Sequence, residues 1–426
     1  VDDLERRVME AVDVDGLVDA LGDLISIEST GGRESPAQEY VAERMREMGM
    51  EVDAWELDLD ALSRDPAYCA EAERDRALGV VGRTGAGQGR TLVLNGHVDV
   101  VPAGDLDRWS SPPWRGTVRN GRVYGRGSAD MKGGLCCALF AVRALRDAGV
   151  RPLGSVLVQS VVGEEDGGLG TLAAVRRGHT GDAAIVLEPT QLVVAPAQAG
   201  AFNFRVTVPG LAAHGALRGE GVSPIEKFFP LYGALQELER RRNARPRHPL
   251  FADQELPYAL CVGTVRAGIW ASTVPETLTF EGRLGIAVDE DPDAARQELA
   301  EALAQVARAD PWLRDHPPTL EWWGGQFAPA VISADHPIVT VVSDACRAAT
   351  GERPPVRGMP YGADMRLLVN EGATPTVLFG PGDVRRAHAP DEFVPIDELA
   401  AATRTLALTI MRFCGAERTA GDPTRH

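Results

Sequence analysis

The strongest constraint on this chain is a change of rhythm along it. Up to about residue 195, segments with helical spacing alternate with short apolar or alternating segments. Residues 38–48 have helical spacing, 51–57 alternate like a strand, and 91–95 form a short apolar run of the kind buried strands use. Residues 134–148 predict a helix closed by Gly149 as its C-cap, and 155–162 and 183–187 predict two more strands. Strands alternating with helices imply a layered α/β sheet. From 199 to 318 the order becomes strand (202–208), helix (224–242), two strands (260–266, 277–286) and helix (291–308), with a strand at 319–322. That β-α-β-β-α-β order is the split βαβ pattern of a small α+β sandwich. Helix (336–350), strand (374–379) and helix (396–413) then resume the first rhythm. The expectation is a layered α/β domain with a mixed sheet (1–198 and 319–415), interrupted by a smaller α+β domain (199–318). The polar tail 416–426 is read as disordered.

With 426 residues the chain exceeds one ordinary core, in keeping with two packing units. No run approaches the roughly 18 apolar residues of a membrane helix. The acidic start has neither the basic region nor the apolar run of a secretory leader, so a cytoplasmic protein is expected. The net charge of −17 argues against a nucleic-acid partner, which would need clustered Lys and Arg. The six cysteines form no C-x-x-C pair, which speaks against a disulfide framework and against a thiolate metal site.

Five short segments carry chemistry. In Asn95-Gly96-His97-Val98-Asp99, at a strand end, His97 and Asp99 are two apart and share a face. The pair is either a structural hydrogen bond or a metal ligand with its orienting acid. The Gly-dense run Gly125 to Gly134 opens a helix; it is a phosphate cradle or a turn presenting Asp130, and its spacing is not that of a P-loop. Glu164-Glu165-Asp166 ends an apolar run, where adjacent acids repel unless a cation or solvent relieves them. Glu188 ends another strand, and His388 lies in Arg386-Ala387-His388-Ala389-Pro390-Asp391-Glu392, after the 374–379 strand. Singly, each fits a plainer role: a structural hydrogen bond for His97 and Asp99, a turn for the Gly-dense run, and a solvated surface for the rest. Together they deliver two His, one Asp and at least two Glu to one edge of an α/β sheet, where ligands bind. That donor mixture suits zinc, or cobalt and manganese.

In this order the segments resemble the dinuclear zinc aminoacylase and carboxypeptidase family, which includes acetylornithine deacetylase, succinyl-diaminopimelate desuccinylase and glutamate carboxypeptidase. The likeness runs from about Leu17 to about Leu408. It implies that His97, Asp130 and Glu188 bind one metal and that Asp130, Glu165 and His388 bind the second, with Asp130 bridging. It makes Asp99 the residue that orients His97, and Glu164 the general base and acid. It implies that the α/β domain is catalytic and the inserted one a lid and dimerisation domain, with a homodimer in which His214 of that lid serves the other subunit's active site.

The implied activity is hydrolysis of the amide bond of a small N-acylated amino acid or related amine by a water that two metals activate. A dipeptidase or carboxypeptidase is the alternative, and an inactive binding protein a third reading. Two places depart from the common family pattern. Thr273 stands before Val274-Pro275 where Asn is frequent, and Ala363 precedes Asp364 where Ser or Thr is frequent. Both concern the substrate pocket, for which Arg283 and Arg366 are candidate carboxylate contacts.

Overall fold

The computed structural model describes residues 2–419. Its chain divides into two compact units. One holds the chain up to Ala197, Val331–Arg357 and the stretch from Ala363 onward; the other holds Gln198–Ala330 and Gly358–Gly362.

In chain order the first unit supplies α1 (Ser35–Glu47), β1 (Glu51–Glu56), β2 (Leu78–Gly85), β3 (Thr91–His97), α2 (Gly133–Asp147), β4 (Ser155–Val161), α3 (Leu169–Arg176) and β5 (Ala183–Val186). The second supplies β6 (Gly200–Pro209), α4 (Pro224–Asn243), β7 (Leu260–Ala267), β8 (Thr277–Ile286), α5 (Pro292–Ala309) and β9 (Thr319–Phe327). The chain then adds α6 (Pro337–Thr350), β10 (Thr376–Leu378) and α7 (Ile396–Cys414) to the first unit.

The first unit is built on a six-stranded mixed sheet in the order β1-β2-β4-β3-β5-β10. β4, β3, β5 and β10 run parallel, while β2 is antiparallel to both β1 and β4. Every residue of β4 and β5 is buried, as expected of parallel strands covered on both faces. α2 and α7 pack on each other and on β3. Parallel pairing brings the carboxyl ends of successive strands side by side. His97 is in register with Val161, so the ends of β3 and β4 open at the same level. α2 starts against the chain leaving β5. A Cβ on Gly134 would lie 2.2 Å from the Leu187 carbonyl oxygen and 2.9 Å from Leu187 Cβ, so only glycine permits this approach.

The second unit has an antiparallel sheet in the order β7-β8-β6-β9. β6 buries alternate residues, and its inner face meets α4 and α5 in a core containing Phe204, Val206, Phe280, Leu235 and Leu299. The expected β-α-β-β-α-β order is present. Its edge at 318 is corrected: the unit extends to Ala330, because β9 pairs with β6 through Phe327 and a register shift near Phe202 carries the pairing on. The expected disorder of 416–426 is corrected in part. Ala416–Arg418 pairs with Val150–Pro152, satisfying backbone groups that a free tail would leave to water. The rest of that expectation, 420–426, lies outside the described residues.

Gly134→Ala is expected to cost about 1–3 kcal/mol of stability and to lower metal retention, because the added methyl must push Leu187 and with it Glu188. Chemical denaturation and metal content check this. Normal values for both would show that the 187–188 segment yields freely.

Candidate metal centre

The centre forms where the parallel strands end. β3 delivers His97, which is fully buried. The turn after β4 delivers Glu164 and Glu165, and the chain after β5 delivers Glu188. Asp130 comes from the turn before α2, where its peptide to Met131 is cis. His388 comes from the loop between β10 and α7, is exposed, and adopts a left-handed backbone with φ 59°.

These side chains converge. His97 Nε2 lies 3.2 Å from Asp130 Oδ1 and 3.9 Å from Glu164 Oε2. His388 Nε2 lies 3.0 Å from Glu165 Oε2 and 3.5 Å from Asp130 Oδ2. One oxygen of Asp130 therefore faces each imidazole. Ligating atoms of His97, Glu164 and Glu188 lie within 4.8 Å of one another, as do those of His97, Asp130 and Glu165. Proximity alone does not separate a ligand from a neighbouring base, and Glu164 stands as near to His97 and Glu188 as a ligand would.

The electrostatics fit a site for cations. Burial, reinforced by the charge of Glu188, pushes the Glu164 carboxyl well above its ordinary range. Burial and Asp130 do the same to Glu188, and burial and Asp130 raise Glu165. Burial opposes the charge on Asp130, yet hydrogen bonds from His388 and His97 hold it below the usual carboxylate range. Carboxylates that destabilise one another in a buried site call for positive charge. The donors are oxygen and imidazole nitrogen with no thiolate, so the set fits hard to borderline divalent ions.

The surrounding residues hold the donors in place. His97 Nδ1 is 2.9 Å from the main-chain carbonyl of Asp99 and 3.7 Å from its carboxylate. Asp99 thus meets the ring through its carbonyl, while its Oδ2 accepts the Glu165 N–H at 3.0 Å. The third acid of the run, Asp166, is taken by Arg74 at 2.8 Å, and Arg74 also pairs with buried Glu34 at 2.6 Å. Arg366 donates to the Gly167 carbonyl at 2.7 Å and so supports the acidic turn.

Lys132 is buried and donates to the carbonyls of Leu24 and Ile27, both at 2.9 Å, which removes it from any phosphate-cradling role. In the second unit, Arg283 Nη2 faces the Pro360 carbonyl at 3.5 Å, and His214 Nδ1 accepts the Ala216 N–H at 3.1 Å.

Sequence reasoning gave no role to Glu392 or Arg126, although both lie inside the segments it singled out. Glu392 Oε1 accepts the N–H groups of Ala129 and Asp130, and its Oε2 accepts from Arg126 at 2.6 Å. A buried chain behind β3 was also missed. Asn95 donates to Thr171 Oγ1, which donates to Asp364 Oδ2 at 2.5 Å, while burial pushes the Asp364 carboxyl up to about 6. A cleft of about 810 Å³ opens beside the centre, lined among others by Glu28, Arg33, Val100, Pro102, Trp114 and Glu165.

Residues 93–412 match the family described as Peptidase family M20/M25/M40, and the chain belongs to that family. It is 33% identical over 401 residues, covering 89% of each chain, to N-formyl-4-amino-5-aminomethyl-2-methylpyrimidine deformylase of Halalkalibacterium halodurans. It is 27% identical to acetylornithine deacetylase of Myxococcus xanthus, covering 93% of this chain and 97% of the relative. The fold matches that of the di-peptidase Dug1p from Saccharomyces cerevisiae with a TM-score of 0.79 at 15% identity, over 96% of this chain and 98% of that one. The chain is thus a metal-dependent hydrolase of amide C–N bonds, the class its motifs implied.

One prediction follows from the charge state of the centre. Hydrogen bonds that His388 donates to Asp130 and Glu165 push it up to about 10. His97 is also raised, since the charge of Asp99 and the hydrogen bond to Asp130 outweigh its burial. Both imidazoles therefore carry protons at neutral pH in the metal-free protein, and a ligating nitrogen must lose its proton. Divalent metal binding at pH 7 is expected to release protons, with affinity rising as pH is raised toward about 10. Calorimetric titration in buffers of different ionisation enthalpy measures this, and a heat independent of buffer would contradict it.

Proposed function

We propose that this protein is a two-metal deacylase that removes a small acyl group, formyl foremost, from an amine. The observation that carries this reading is the 33% identity, over 89% of both chains, to an enzyme named for deformylating an aminomethylpyrimidine. The cleft beside the centre has room for a ring-sized amine. Acetylated or succinylated amino acids are the neighbouring substrate class, supported by the acetylornithine deacetylase relative. Dipeptides are the second reading, which rests on fold likeness alone.

In this reading His97, Asp130 and Glu188 hold one ion, while Asp130, Glu165 and His388 hold the other, with Asp130 shared. The ions are zinc, or cobalt or manganese in its place. When bound, such a pair lowers the pKa of water and polarises the acyl carbonyl. Glu164 takes a proton from the attacking water and passes it to the leaving nitrogen, so that the amine departs neutral and the amide cannot re-form. Its burial and the charge of Glu188 raise its proton affinity well above that of an ordinary carboxylate, as suits a group that takes up a proton. Asp99 fixes His97 through its carbonyl and Glu165 through its carboxylate.

The homodimer belongs to the same reading. Ile225, Phe229 and Tyr232 expose apolar surface at helical spacing on α4, and Val265 does so on β7, an edge strand. A second copy would cover this surface and the open strand edge. His214 would then donate a hydrogen bond to the oxyanion forming in the partner's site, and Arg283 would meet a substrate carboxylate where one is present. The six free cysteines fit a reducing, cytoplasmic setting.

Turnover by the zinc- or cobalt-loaded protein across N-formyl, N-acetyl and N-succinyl amines and dipeptides tests the reading. N-formyl amines are expected to be cleaved fastest, and Glu164→Gln to lose several orders of magnitude in kcat while keeping its metals. Cleavage of dipeptides alone would move the protein to the peptidases. A mixture of His214→Ala and Glu164→Gln subunits is expected to regain activity that neither variant has, because one site of each mixed dimer is intact. No recovery in demonstrated mixed dimers would remove His214 from the partner's site.

A further inference from the structure

The residues read as metal ligands come from separate segments, and three of those segments meet at one buried ion pair. Arg126 and Glu392 are 2% and 1% exposed, and Arg126 Nη1 lies 2.6 Å from Glu392 Oε2. The other carboxylate oxygen, Oε1, accepts the Ala129 N–H at 2.9 Å and the Asp130 N–H at 3.1 Å. The main-chain carbonyl of Glu392 accepts the Gly125 N–H at 3.0 Å. Arg126 also reaches the carbonyls of Ala389 and Pro102, each at 3.4 Å. The turn carrying Asp130, the loop carrying His388 and the chain leaving Asp99 are therefore tied together at one point.

This tie bears on the two metal positions unequally. His97 ends β3 in register with Val161, and Glu188 follows Leu187, whose N–H donates to the Asn95 carbonyl at 3.0 Å, so backbone bonds hold both segments whether or not the ion pair forms. His388 has no such support. Its left-handed backbone is uncommon for a residue other than glycine and persists only where the surroundings dictate it. The surroundings here are the Arg126–Ala389 bond, Glu392 four residues on, and Asp391, whose carboxylate accepts from Ser110 N–H at 2.8 Å and Ser110 Oγ at 3.0 Å.

We infer that the Arg126–Glu392 pair is a positioning device for the dinuclear centre: it sets the bridging Asp130 against His388 and so governs occupancy of the Glu165–His388 position more than that of the His97–Glu188 position. The inference rests on the ligand assignment proposed above. A carboxylate is required at 392. It accepts from a guanidinium on one oxygen and from two backbone N–H groups on the other, whereas a glutamine would turn its NH2 toward one of these donors.

Stepwise titration of the metal-free protein with Co²⁺, followed by visible absorption and calorimetry, tests this. Wild type, Glu392→Gln, Arg126→Met, the Arg126→Met/Glu392→Gln double variant and His388→Ala are compared. Wild type should take up two ions, and His388→Ala should identify the step that belongs to the Glu165–His388 position. Glu392→Gln is expected to weaken that step about 10–100-fold, the usual effect of losing a group that orients ligands, and to leave the other step nearly unchanged. The double variant should recover much of the loss, because its glutamine oxygen can accept from Ala129 and Asp130 while its NH2 meets the carbonyls that Arg126 released. Equal weakening of both steps, no weakening, or a double variant no better than Glu392→Gln would overturn the inference. A wild type that binds no second ion would instead overturn the ligand assignment on which it rests.

Discussion

Mutual repulsion among buried carboxylates is the condition that the first unit is arranged around. Parallel pairing of β3, β4 and β5 sets the strand ends side by side, and those ends carry His97, Glu164, Glu165 and Glu188, with Asp130 facing them. Keeping such ions out of water costs several kcal/mol each unless partners compensate. Nearby guanidinium groups do not discharge the cluster: Arg74 is paired with Glu34 and Asp166, and Arg126 with Glu392. The imidazoles supply only part of the compensation, by holding protons. Divalent cations relieve the remainder, which is why the arrangement makes sense as a metal site and poor sense as an apolar core or a solvated turn.

The same view separates the acids by task. Glu164, Glu165 and Asp166 are consecutive, so their side chains diverge. Asp166 turns toward Arg74, Glu165 toward His388, and Glu164 toward His97. A single turn thus supplies a structural ion pair, a candidate ligand and a candidate base. The turn is held from both sides, by the Asp99 carboxylate on the Glu165 N–H and by Arg366 on the Gly167 carbonyl. Arg366 already has this use in the fold.

What could be read from the sequence was what local spacing controls. Two-residue periodicity placed His97 and Asp99 on one face, apolar runs marked the strands, and acids at the ends of those runs marked the site. β2 escaped notice because Gly79, Gly82 and Arg83 interrupt its apolar pattern. The end of β9 escaped because Gly324 and Gly325 resemble a strand terminator, although the pairing continues past them. The Arg126–Glu392 pair spans 266 residues, and nothing local in either segment announces the other. For Asp99 the spacing marked the neighbour of His97 but not the contacting atom. Sharing a face with His97 brings the residue near the ring, but which of its oxygens arrives depends on backbone direction after the strand ends.

Reaction class and substrate class therefore rest on different parts of the molecule. The strand ends define a chemistry that deacylases and peptidases share, so they cannot choose between them. The cleft beside them carries charge of both signs. Among its lining residues, Glu28, Asp99, Glu165 and Asp166 are acidic, while Arg33 and Arg74 are basic and Arg74 is already committed to Glu34 and Asp166. Asp166 is in turn matched by Arg74, and Glu165 faces His388, so these acids are answered within the fold and Glu28 and Arg33 bring charges of opposite sign. The strand ends thus carry the reaction, and the shape and polar groups of the cleft carry the choice of acyl group and amine.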